Sequence, residues 1–355
     1  MSTAFVHLHT LRGGHSDSVN CLSFSPDGNY LATGGDDYTL IIWNITNGRL
    51  LFRVVFESSI DCIIWHPIHH ETLIVACESG HLYQLQHFDL KQVERHNIHV
   101  GVRGPIYCLD YDAINGQLAI GMGSDVHVTR EGHKDHYFGS VKFPSPPLVD
   151  STGGHDNDTR VRPVGLHFAK RGRILIASYT AHGVICWEAS SRNKLWHITT
   201  NSPAARIGSS ALSPDGRDLM IYYLKGDMQL HSVGSFGQHQ PRQRYKFDKP
   251  AVSNHSLQIV FLHRGRAVAC GTTTGNVCIW ETSTGEFFQH LPHQGARLRT
   301  DSSRSRGGFS FIATGSAGRG QGTYINIWRA KISDSSIPWR TLPVVVWRFV
   351  RDASS

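Results

Sequence analysis

The segment from Gly14 to Asn44, GHSDSVNCLSFSPDGNYLATGGDDYTLIIWN, constrains the chain more than any other. After the Gly14-His15 pair comes an alternating run in which Val19, Cys21 and Ser23 oppose Asn20, Leu22 and Phe24. The tetrapeptide Ser25-Pro26-Asp27-Gly28 is a turn, Leu31-Ala32-Thr33 a second strand, Asp36-Asp37 a second turn, and Leu40 to Trp43 a third strand. Short strands at tight turns, repeated along a chain, are the unit from which closed sheet rings are built.

The plan recurs. SSIDCIIWHP, TLIVACESG and HLYQLQ repeat it with Leu85 in the place of Trp43. PIYCLDYDAINGQLAIGMGSDVHVTR repeats it without a closing Trp. VRPVGLHFAKRGRILIASYTAHGVICWE ends on Trp187, and ALSPDGRDLMIYYLKGDMQLHS repeats the Ser-Pro-Asp-Gly turn at Ser213 to Gly216. LQIVFLHRGRAVACGTTTGNVCIWE and FSFIATGSAGRGQGTYINIWR end on Trp280 and Trp328. Weaker equivalents of the closing position fall near Val128 and His231, giving seven units in all.

The order Gly-His, Thr33, Asp37, Trp43 resembles the WD40-repeat β-propeller family. The resemblance implies an all-β, seven-bladed WD40-like propeller over residues 5–330, its ring closed by the strand FVHLHTL at residues 5–11 serving as the outer strand of the last blade. It also implies that His15, Thr33, Asp37 and Trp43 form the family's structural hydrogen-bond set, since a satisfied chain of buried polar groups fixes one blade geometry. A hydroxyl, a His and an Asp could suggest a catalytic triad, but here their order and spacing are those of a blade. No other blade is expected to keep the set: blade six has Cys270 and Thr274 at the positions of Thr33 and Asp37, and blade four has Ala181 for the Asp.

Outside the repeats, residues 144–160 are rich in Pro, Gly, Ser and Asp and read as a surface loop, and the PxxP spacing at Pro144 to Pro147 fits loop proline. Residues 331–355 form a partly apolar C-terminal tail, with Pro338, Pro343, Val344, Val345, Val346, Trp347, Phe349 and Val350. The tail either packs on the ring or stays loosely ordered, or it docks on a partner or a membrane interface, the latter only through Trp339–Val350. It is too short to span a bilayer.

The seven cysteines recur at equivalent strand positions, with Cys21, Cys62 and Cys108 in three first strands, Cys77 and Cys270 in second strands, and Cys186 and Cys278 beside a Trp. They read as small apolar core residues, which suits a reducing compartment. The N-terminus lacks a basic stretch followed by an apolar core, so no signal peptide is expected and the expected location is cytoplasmic or nuclear.

No cofactor loop or metal site is expected. SAGRGQG lacks the Lys-Ser/Thr of a phosphate loop and joins two strands. The histidine clusters His7/His9, His66/His69/His70, His96/His99 and His133/His136 have no cysteine or carboxylate at ligand spacing in the sequence. The candidate partner-binding residues are Arg297, Arg299, Arg304 and Arg306, with Arg319 in the Gly-rich loop, because guanidinium groups suit acidic partners. Two placements remain open for the strand that carries them, 296–300 or nearer 305. No aromatic residue interleaves with these arginines, which disfavours nucleic acid despite a formal net charge of +7.

These features point to a non-catalytic scaffold or adaptor that binds other proteins, as a monomeric propeller within a complex. The alternatives are a membrane-peripheral adaptor held by its tail, or a propeller enzyme with an unrecognised channel site. An enzyme would call for polar residues facing the channel from the first strand of each blade, whereas those strands read as mostly apolar or Cys.

Overall fold

The computed structural model describes residues 4–69, 71–88, 93–132, 136–147, 159–199, 205–234, 240–247, 256–272, 275–293, 298–306, 308–316 and 320–332. The tail from residue 333 and most of the Pro-rich loop, residues 148–158, lie outside them.

Seven four-stranded antiparallel sheets form the molecule, and the first strand of each packs against the first strand of the next until the seventh returns to the first. Blade one is Val19–Phe24, Tyr30–Gly35, Thr39–Asn44 and Leu50–Val55. Burial explains its composition. Leu40 to Trp43 on the third strand are buried on both faces and read as a continuous apolar run, while the outer strand is largely exposed and carries Arg53. The first turn is set by side chains: Asp27 accepts from the Ser25 hydroxyl and from the Asn29 amide, and Gly28 takes φ 72°. Blade five uses the same device, with Ser213 donating to Asp215 at 2.6 Å and Gly216 at φ 69°.

The ring is closed by the N-terminal strand. Val6–Arg12 pairs antiparallel with Tyr324–Lys331 as the fourth strand of blade seven, and the Thr10 hydroxyl donates to Asn326 at 2.8 Å. Closure removes the free sheet edge at which a neighbouring chain could add. The core is divided in seven, one apolar cluster between each pair of adjacent blades. Leu11, for example, packs with Val19, Trp43, Ile325 and Ile327 across the seam between blades seven and one. None of the seven cysteines is in a disulfide, and six of them are buried.

Register refines the repeat. Trp43, Leu85, Trp187, His231, Trp280 and Trp328 occupy the same position opposite the second strand. In blade three that position belongs to Thr129, one residue beyond Val128. The basic strand of blade seven is Leu298–Arg306, which includes residues 298–300 of the first expected placement and reaches past residue 305, with a bulge between Asp301 and Ser303.

The first strands hold a feature that alternation does not reveal. In each of blades one to five the pairing slips by one residue near the start of the strand: at Val19/Cys21, Ile60/Cys62, Ile106/Cys108, Pro163/Gly165 and Ile207/Ser209. Each slip is a β-bulge, which inserts one residue and re-aims the side chains around it.

Candidate functional site

The polar centre of blade one links three strands to the incoming loop. The Trp43 indole N–H donates to Thr33 Oγ1 at 3.0 Å, and Thr33 Oγ1 lies 2.7 Å from His15 Nε2. His15 Nδ1 lies 3.0 Å from Asp37 Oδ1. Beside a carboxylate, Nδ1 carries the imidazole proton, so Nε2 accepts from the Thr33 hydroxyl. Asp37 also accepts from the Ser16 amide at 2.8 Å and the Thr39 hydroxyl at 2.7 Å. Burial alone would push the Asp37 carboxyl up, but the bonds from His15, Thr39 and Ser16 outweigh it and hold it well below the usual carboxylate range. Two glycines make room. A Cβ on Gly14 would collide with the Trp43 ring, and one on Gly35 would lie 2.5 Å from the Ser18 carbonyl oxygen.

Blade seven keeps part of this arrangement, though not the full set. The Trp328 indole N–H lies 3.3 Å from Thr314 Oγ1, and buried His293 Nε2 lies 3.3 Å from the Thr314 carbonyl oxygen. The signal was present in Ala313-Thr314-Gly315, which repeats Ala32-Thr33-Gly34. The His293 ring stacks on Tyr324, with centroids 4.5 Å apart.

The fold also supplies a carboxylate to a histidine pair. Ligand atoms of His66, His69 and Glu131 lie within 4.8 Å of one another. Glu131 is 65 residues from His66 in the chain, so ligand spacing could not reveal it. The proton inventory argues against a metal site. His66 Nδ1 accepts the amides of Ile68 at 3.2 Å and His69 at 3.0 Å, so the ring proton sits on Nε2 and is donated to Glu131 at 3.1 Å. A cation at Nε2 would have to displace that proton and leave an imidazolate. Tyr111 donates to the same Glu131 oxygen. Burial raises the Glu131 carboxyl, the bonds from His66 and Tyr111 lower it further, and the net result is a depressed value. The cluster is a polar bridge between blades two and three.

The channel wall is more polar than the first strands led one to expect, because the bulges shift the alternation. A cavity of about 400 Å³ is lined by Cys21, Cys62 and Cys108, but also by Asp61, His167, Ser210 and Gln258. Ser178 donates to Ser210 Oγ at 2.8 Å, and Ser210 Oγ lies 2.9 Å from His167 Nε2. Burial depresses His167 to about 4, which makes it a poor proton acceptor at neutral pH. At one mouth, a second cavity of about 360 Å³ is lined by the bulge residues of four blades, Asp61, Tyr107, Val164 and Gly208, together with Arg162. The Arg162 guanidinium carbon lies 5.4 Å from the centre of the Tyr107 ring.

Of the candidate partner-binding arginines, Arg299, Arg304 and Arg306 sit on the first strand of blade seven, opposite Gly315, Phe311 and Phe309. Arg297 and Arg319 lie outside the described residues. Among the described residues, no helix is long and apolar enough to cross a membrane.

Seven radial sheets with a bulge-lined mouth define a seven-bladed β-propeller. Residues 5–44 match the WD domain, G-beta repeat (WD40) family model, so blade one is a WD40 repeat set in a seven-bladed propeller. The β-propeller domain of Cps50 (Swd1) from Myceliophteria thermophila superposes with a TM-score of 0.69, over 92% of this chain and 99% of that one, at 19% identity. That likeness shows the fold alone. The ribosome biogenesis protein bop1-A of Xenopus laevis is 39% identical over 64 residues, 18% of this chain and 9% of that protein. ERB1 of Yarrowia lipolytica, also a ribosome biogenesis protein, is 34% identical over 100 residues, 25% of this chain and 12% of that protein. The periodic tryptophan protein 2 homolog of Dictyostelium discoideum is 22% identical over 292 residues, 75% of this chain and 29% of that protein. The matched regions thus span less than a third of the length of each of these curated relatives.

Proposed function

We propose that the protein is a non-catalytic scaffold that docks other proteins, and that the assembly it serves is ribosome biogenesis, which places it in the nucleus. The observation that carries the scaffold reading is the row of bulges. A rigid ring re-aims one residue near the channel in each of blades one to five, and these residues differ: Asn20, Asp61, Tyr107, Val164 and Gly208. Unlike side chains on a repeated frame make an asymmetric surface, which suits recognition of different partners. The assembly is suggested by the ribosome biogenesis proteins among the relatives. Arg297, Arg299, Arg304, Arg306 and Arg319 are proposed as a further contact, for an acidic partner.

Gradient sedimentation of lysate containing the tagged chain tests the assembly. Co-sedimentation with precursor ribosomal particles is expected, whereas sedimentation only as a free 39.5 kDa protein refutes it. Affinity capture with the five arginines changed to Ser then tests the contact, since an unchanged set of partners would rule those arginines out.

A further inference from the structure

We infer that the cleft between the outer part of blade two and the loop entering blade three is a docking site for an acidic segment of a partner protein. The cleft holds about 790 Å³, and its charged and polar lining includes Arg95, Arg103, His81, His99, Asn97 and Glu57. Two arginines against one carboxylate make it basic.

Arg95 is held in place. Its guanidinium carbon lies 3.8 Å from the centre of the Tyr83 ring and 4.7 Å from that of Phe56, and both rings are buried. Stacking of this kind fixes the plane of the guanidinium while leaving its N–H edges free. Among the described residues, no carboxylate forms an ion pair with Arg95 or Arg103. A pre-positioned fork loses little freedom when it meets a carboxylate, so an Asp or Glu side chain is the ligand it fits. Val102, half exposed on the same lining, offers an apolar contact beside the charges.

The same geometry favours protein over RNA. Sequence-tolerant binding of single strands needs open aromatic faces on which bases stack. Here the Tyr83 ring is covered by Arg95 and flanked by a near-parallel His81 ring at 5.9 Å, and Phe56 lies beneath Arg95. Neither Tyr83 nor Phe56 offers an open face to the cleft.

The site does not depend on which assembly the protein serves, so it is tested on the purified full chain. Fluorescence anisotropy would follow a short, fluorescein-labelled peptide rich in Glu and Asp, with Arg95→Ser, Arg103→Ser and, as a control on the outer strand of blade four, Lys194→Ser. Each cleft variant should weaken binding roughly tenfold, as loss of one charge-assisted contact predicts, with Lys194→Ser unchanged. Arg103 is exposed, so Arg103→Ser carries the test even if Arg95→Ser lowers the melting temperature. Absence of peptide binding by the unmodified chain would overturn the inference. So would equal binding by Arg103→Ser, or displacement of the peptide by a single-stranded RNA oligonucleotide at lower concentration than by unlabelled peptide.

Discussion

Thr33 shows how much one hydroxyl can carry. It accepts from Trp43 and donates to His15, with both contacts at 3.0 Å or less, so removing it leaves two buried ring nitrogens without their partner. Thr314 sits at the same place in blade seven but meets Trp328 at 3.3 Å, and the nearby histidine reaches its carbonyl rather than its hydroxyl. Thr33→Val should therefore cost about 2–3 kcal/mol and Thr314→Val about 1 kcal/mol. Urea unfolding of the two variants checks the order, and equal losses would show that the His15 contact adds nothing. Trp43→Ala removes both the donor and a core ring and should cost about 3–5 kcal/mol. An unchanged melting temperature would mean that Trp43 does not hold the blade together.

At the scale of the strand, ring closure makes a clean contrast. Leu11 and Val6 lie on the same closing strand, but Leu11 is 3% exposed in the seam between blades seven and one and Val6 is 57% exposed. Leu11→Asp buries a charge among Val19, Ile325 and Ile327 and should cost at least about 3 kcal/mol. Val6→Asp should stay within about 0.5 kcal/mol. If both are silent in equilibrium unfolding, the strand does not close the ring. This element was legible because FVHLHTL alternates and lies ahead of a complete blade. The strands of blade one were legible for similar reasons: two-faced burial makes Leu40 to Trp43 an apolar run, and Ser25-Pro26-Asp27-Gly28 supplies its own turn bonds. The bulges were not legible. A single inserted residue, such as Asp61 or Tyr107, has no compositional signature, because the slip is set by the partner strand. It was those slips that turned Asp61 and the Ser210–His167 pair toward a channel expected to be apolar. The His66–Glu131 contact was hidden for a different reason, since it exists only once blades two and three lie side by side.

The molecule as a whole stores a dependence on pH in its buried histidines. Burial depresses His167, His231, His263 and His293 to about 4, so the folded chain keeps them neutral where the unfolded chain begins to take up protons near pH 6.5. The unfolded state then binds more protons, and stability falls as pH drops from about 6.5 toward 4, levelling off for these groups below 4. At pH 5 the loss is roughly 2 kcal/mol for each histidine. Asp110 acts in the opposite direction: burial lifts it to about 7, so acid relieves a charge that the fold holds at a cost, and it returns roughly 2–3 kcal/mol at pH 5. One carboxyl does not offset four imidazoles, and the net loss is several kcal/mol. Asp37, held below its usual range, remains ionised through this window and adds to the loss only below about pH 4. The melting temperature should therefore decline steadily from pH 6.5 to 4.5. His231→Gln, which keeps a polar group of similar size at a site with no proton to gain, should flatten that decline. A melting temperature constant across the window would mean that the buried histidines are reached by water, and that the seams between blades are looser than their packing implies.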